Sequence, residues 1–250
     1  PIVPGEIVYH ILAFVDDLPT KRAVTLVCSY WRTAIISTTT TLDISHLCPK
    51  KYIHFSYFPK YSKMKALFAF FHNVHTVKIC DIAVYYHTFW QLGCAVISGK
   101  LGLEEEIGYE AYSNYKDVAK LESPLFENHL LVKMMRQKSS CTPITSLVFS
   151  NCDIKYWHAG WPYGMFAGVA LFRALAHKDT VFTVDVSGST GDGLKRLYTQ
   201  GLQKISYLPL YLVGKWMFIM SGADIPENGK KVIRSAVDHL MTQASSYTSN

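Results

Sequence analysis

The sequence predicts an α/β fold in which a short N-terminal helical module precedes an irregular solenoid of strand and helix units. Three observations lead there: three amphipathic stretches within residues 4–37, similar β-like segments recurring along the rest of the chain, and apolar stripes at helical spacing between them. At 250 residues, with 49% hydrophobic and 18% charged residues, the chain is long enough for a substantial core and too apolar to be mainly disordered.

The first helix is read from Ile7, Ile11, Leu12 and Val15, which fall on one helical face. Pro4 and Glu6 suit its first turn, because proline lacks the amide that would be orphaned there and a carboxylate favours the positive end of the helix dipole. The run Asp16-Asp17-Leu18-Pro19-Thr20 stops that helix, with Thr20 as the expected cap of the next. Ala23, Val24, Leu26 and Val27 then form the apolar side of helix two, and Trp31, Ala34 and Ile35 that of helix three. Three helices in so few residues bury too little surface to stand alone, so the module leans on a partner or on the domain that follows.

The string P-G-E-I-V-x-x-I-L-x-x-V-x-x-L-P-T-x-x-A-V-x-L-V-C-x-x-W-R-x-A closely resembles an F-box. The matching positions are Pro4, Glu6, Ile7, Ile11, Leu12, Val15, Leu18, Leu26, Val27, Cys28, Trp31 and Arg32, while Val3 stands where Leu is usual and Gly5 fills a variable position. The resemblance implies docking on a Skp-family adaptor that links the chain to a cullin-RING ubiquitin ligase. Pro4, Glu6, Ile7, Ile11, Leu12, Val15, Leu18, Leu26 and Val27 are the expected adaptor-binding residues, and Trp31 is expected to pack inside the module. The other reading of the same pattern is an amphipathic helical hairpin at the head of a larger domain.

After the threonine run Thr38–Thr41, taken as a linker or the start of a strand, the β-like segments end at Ser45, Cys80, Ser150, Ser187 and Ser221. Their spacings are 35, 70, 37 and 34 residues, a period near 35 with one copy degenerate or lost in the long gap, near residues 100–130. Helical spacing is read between them: from Ser62 through Leu67, Phe70 and Phe71; over 125–136 and 165–175; and along Val232, Ile233, Ala236, Val237, Leu240 and Met241, starting after Asn228-Gly229. The segment Ile144–Ile154 is similar to the leucine-rich repeat pattern L-x-x-L-x-L-x-x-C-x-I, and Thr183–Gly188 to its L-x-L-S-G form. In such a repeat the Cys or Asn after the strand turns inward to satisfy backbone groups at the bend. The division expected is therefore residues 1–40 as F-box and 41–250 as a leucine-rich-repeat-like domain that binds a target protein.

Chemistry is sparse. The net charge of +6 is spread without a basic run, so nucleic acid is not an expected partner. The six cysteines stand apart, with no C-x-x-C pair, and no N-x-S/T acceptor occurs, which points to free thiols in the cytoplasm or nucleus. Prolines and charges interrupt the most apolar stretches, so no membrane span is expected. None of the ten histidines belongs to a nucleophile motif or to H-E-x-x-H, and Glu104-Glu105-Glu106 reads as a solvated turn. The piece Ser187–Gly193 follows a strand as phosphate loops do, but it misses the P-loop and dinucleotide spacings and reads as a turn. Within it, Asp185-x-Ser187-x-Ser189 resembles the magnesium-holding D-x-S-x-S of von Willebrand A domains, although the chain after it is too short for that domain's later ligands. No cofactor, metal or catalytic residue is therefore expected. Tyr156, Trp157, Trp161 and Tyr163, aromatic residues on a loop after the best repeat strand, are the expected target-binding positions.

Overall fold

The computed structural model describes residues 5–15, 17–45, 61–85, 144–155, 180–196, 198–199 and 215–247. It opens with helices α1 (Gly5–Ala13), α2 (Leu18–Thr25) and α3 (Ser29–Thr38). Val8, Leu12, Val24, Ala34 and Ile35 form a small core of their own, with Val15, Trp31 and Ile36 packed against it. The second helix starts earlier than the expected Thr20 cap. Asp17 is its N-cap and accepts the Thr20 amide at 2.8 Å, while Pro19 occupies a first-turn position where no amide is needed.

The threonine run serves two elements: Thr39 caps the end of α3, and Thr41 begins the first strand. Five strands, β1 (Thr41–Asp43), β2 (Thr76–Cys80), β4 (Ser146–Ser150), β6 (Phe182–Asp185) and β7 (Trp216–Ile219), form one sheet in which strand order follows chain order. Every pairing in it is parallel, and the register aligns Leu42, Val77, Leu147, Val184 and Phe218. These are the five segments read from the sequence. The long gap is not a lost rung, because β2 and β4 pair directly through five residue pairs from Thr76↔Ser146 to Cys80↔Ser150.

The exits of β2, β4, β6 and β7 turn the same corner. Asp81, Asn151, Gly188 and Gly222 have φ of 57°, 54°, 67° and 65°, and extending the strand register sets them side by side. The Asp81, Asn151 and Gly188 amides donate to the Ser150, Ser187 and Ser221 carbonyls of the next rung, at 3.0, 2.9 and 2.8 Å. Two residues further on, the Asp153, Thr190 and Asp224 amides donate back to Ile82, Cys152 and Ser189 of the preceding rung. The chain past the corner thus makes a second parallel pair, β3 (Ala83–Tyr85) with β5 (Asp153–Lys155), to which Thr190 adds a bridge. Asn151 Nδ2 donates to Asp81 Oδ1 along the corner row, and at Gly188 a Cβ would collide with the Asn151 side chain. Glycine there meets both the positive φ and the close approach.

Helix α4 (Tyr61–Phe70) supplies Leu67 and Phe68 to the main core, together with Phe71; of the expected stripe, Phe70 instead stays partly exposed, its ring edge-on to Phe71 at 5.0 Å. The short helix α5 (Asp192–Arg196) buries Leu194. Helix α6 (Glu227–Tyr247) starts before the expected Asn228-Gly229 break, since the Pro226 carbonyl already accepts the Lys230 amide at 3.0 Å. Ile233 and Val237 join the core with Ala236 beside it, whereas Val232 and Met241 of the same expected stripe are exposed. Gly229 lies under the Tyr198 ring. The expected helices over 125–136 and 165–175 lie outside the described residues. Among the described residues no helix is long and apolar enough to cross a membrane.

Candidate functional site

The N-terminal helices leave apolar side chains in water. Ile7 and Ile11 are one turn apart on α1, and Phe14 in the turn that follows extends that stripe to the i, i+4, i+7 spacing. Ile11 is 53% exposed and Phe14 83%, while Val8 and Leu12, the neighbouring stripe, face inward. The α2–α3 turn adds Leu26, 80% exposed, and Val27; both have their amides held by the end of α2, at the carbonyls of Ala23 and Val24. Tyr30 on α3 meets Tyr9 on α1 edge-on at 6.1 Å, and its hydroxyl lies over Gly5, so α1 and α3 are pinned at the end where the exposed stripe begins. Exposed apolar groups this numerous on a small module make it a candidate interaction surface.

This geometry divides the nine expected adaptor-binding residues. Ile7, Ile11, Leu26 and Val27 are exposed and available, and Glu6 is exposed in the first turn of α1. Leu12 and Leu18 are corrected: both are buried within the chain, Leu12 in the helical core and Leu18 in the core of the sheet. Val15 is half-buried against the helical core, and Pro4 lies outside the described residues. Trp31 packs on that core, as expected. Tyr9, Phe14 and Tyr30 were missed by the sequence reading; continuing the Ile7–Ile11 stripe by one more step would have found Phe14.

The outer face of the sheet is the second candidate. Its aligned rows are Thr41, Thr76, Ser146, Thr183 and Met217, then Asp43, Lys78, Val148, Asp185 and Ile219. Four rungs thus present a hydroxyl, three of them beside a charged group and one beside Val148, and the last presents exposed Met217 and Ile219. The expected target-binding residues Tyr156, Trp157, Trp161 and Tyr163 lie outside the described residues.

The D-x-S-x-S reading is corrected by hydrogen bonding. Asp185 Oδ1 accepts the Ser187 amide at 2.8 Å, and Asp43 Oδ1 accepts the Ser45 amide in the same way, so the aspartate belongs to a repeated turn. Ser189 is fully buried; its hydroxyl donates to the Phe149 carbonyl and accepts the Cys152 amide at 2.9 Å. That oxygen faces the neighbouring rung and is committed to it. Among the described residues no group of three His, Cys, Asp or Glu side chains could hold a metal ion.

Cys152 has the equivalent role in the preceding rung, donating from Sγ to the Ile79 carbonyl at 3.2 Å. Ile79 and Phe149 are register partners, so the two small polar side chains serve equivalent carbonyls. Burial pushes the Cys152 thiol up to about 12, which keeps it a neutral donor. Cys80 on the outer row is also pushed up, first by burial and then by the Asp43 carboxylate. Asp17 is held below the usual carboxylate range by the Thr20 amide it caps.

No protein-family model matches this chain, and neither the curated proteins nor the solved structures contain a significant match to it.

Proposed function

We propose that the chain is a substrate-recognition subunit of an SCF-type cullin-RING ubiquitin ligase, with residues 1–40 as the F-box and 41–250 as a leucine-rich-repeat-like target-binding domain. The observation that carries this reading is the F-box-like string set on three short helices, with its apolar positions Ile7, Ile11, Leu26 and Val27 left in water. A helical adaptor groove buries such a stripe. The parallel sheet with strands in chain order, and the inward Cys152 and Ser189 that satisfy equivalent carbonyls on two successive rungs, support the repeat half of the reading. In this role the chain performs no chemistry itself. It raises the effective concentration of a target lysine beside a ubiquitin-loaded enzyme held elsewhere in the complex.

The rival is a repeat scaffold outside any ligase, in which the helices serve only to close the first rung; the burial of Leu18 in the sheet core favours it. Co-purification separates the two. Tagged full-length chain captures a Skp-family adaptor under the ligase reading, and Ile7→Asp with Ile11→Asp abolishes capture without changing the circular dichroism spectrum. Folded wild type that captures no adaptor overturns the ligase reading and leaves the scaffold.

A further inference from the structure

We infer that α2 is the edge cap of the repeat sheet, with Lys21 as its hydrogen-bond donor, so that the docking helices and the sheet move as one body. Among the described residues, strand β1 is the first strand of the sheet and has a partner on one side, β2. The Thr76 amide donates to the Thr40 carbonyl and the Ile44 amide to the Lys78 carbonyl, so Thr40, Leu42 and Ile44 direct their backbone groups toward β2. Backbone direction alternates along a strand, so the Thr41 carbonyl points the other way, out of the open edge. Lys21 Nζ donates to that carbonyl at 2.7 Å.

Lys21 is only 2% exposed, although lysine is among the residues least often buried. Leu18, one helical turn before it, is fully buried and belongs to the core formed by the sheet rather than to the core of its own three helices. Asn73 Nδ2 adds a bond at 3.3 Å to the Ser37 carbonyl near the end of α3. An open strand edge is a template for pairing with another chain, and lysines and covering helices are the devices that prevent it. Here one helix supplies both. The inference extends the ligase reading, because a capped edge fixes the angle between the adaptor-docking stripe and the sheet face; the capping itself holds even if no adaptor binds.

The test is amide hydrogen exchange on the full chain, comparing wild type with Lys21→Met, which keeps the aliphatic stem and removes the donor. Exchange at the Thr76 and Ile44 amides is expected to rise about tenfold or more while the Phe182 and Val186 amides, at the far end of the sheet, stay unchanged. Unchanged exchange at Thr76 and Ile44, or equal acceleration at both ends, overturns the cap. A measurement on wild type alone guards against a variant that does not fold. Under acylating reagent, Lys21 should react at least about tenfold more slowly than exposed Lys195, Lys215 and Lys231, and equal reactivity overturns the inference. Adaptor capture measured on Lys21→Met keeps the questions separate: capture retained with local loosening supports the cap, whereas loss of capture in wild type strikes only the ligase reading.

Discussion

Ser189→Ala removes one oxygen from the interior and should be felt by two rungs. That hydroxyl accepts the Cys152 amide at 2.9 Å and donates to the Phe149 carbonyl, at a position with no exposure to water. Taking the partner from a buried polar group costs about 1–3 kcal/mol, so withdrawing it from two groups, with some relaxation, gives about 2–4 kcal/mol. For a chain of this size, with a urea dependence of about 2–3 kcal/mol per molar, the midpoint should fall by about 1 M. Equilibrium urea unfolding followed by circular dichroism reads this directly. Ser187→Ala is the control: Ser187 lies on the same turn, half-buried, engaged through its backbone rather than its hydroxyl, and should change stability by less than about 0.5 kcal/mol. Ser189→Cys should recover some of the loss, because Cys152 already performs the same task at the Ile79 carbonyl. A Ser189→Ala change below about 1 kcal/mol, or no larger than the control, would refute the inter-rung ladder.

Gly229→Ala would place a Cβ about 2.9 Å from the Tyr198 ring, so it should destabilise by about 1–3 kcal/mol in thermal unfolding despite the higher helix propensity of alanine. Native-state alkylation near neutral pH should modify exposed Cys28 and spare Cys152, whose thiol stays protonated; mass spectrometry after proteolysis reads the difference. Because the folded thiol is the weaker acid, Cys152 favours the folded state below its unfolded pKa, and that contribution disappears as pH climbs toward about 12. Asp17 runs the opposite way. Its carboxylate is stabilised on folding, so the stability gap between wild type and Asp17→Ala should be full at neutral pH and shrink as pH falls below about 4 in acid titrations.

The strands were legible because each repeats an alternating apolar pair at a near-constant interval, and Leu42, Val77, Leu147 and Val184 are the residues that alternation turns inward. The second short strands were not, since Ala83–Tyr85 and Asp153–Lys155 are three residues each and are defined by hydrogen bonds across rungs rather than by any pattern along the chain. In α1, periodicity identified an apolar face without saying which of two adjacent stripes is inside. Ile7–Ile11 and Val8–Leu12 are both apolar, and only packing against α3 decides that the second pair is buried. The burial of Lys21 was not legible, because nothing local records that a strand edge twenty residues on needs a donor. The 70-residue interval suggested a degenerate or lost copy on arithmetic alone, whereas β2 and β4 pair directly, with no rung between them.

The central claim is adaptor docking through the exposed N-terminal stripe, and titration calorimetry of the full chain against a purified Skp-family adaptor tests it most directly. Wild type should bind, and Ile11→Asp, at a position 53% exposed and outside both cores, should fold normally yet lose at least about thirtyfold in affinity, as loss of an interface anchor worth about 2 kcal/mol requires. Folded wild type that gives no binding heat and no complex on gel filtration, or Ile11→Asp that binds as tightly as wild type, would contradict it.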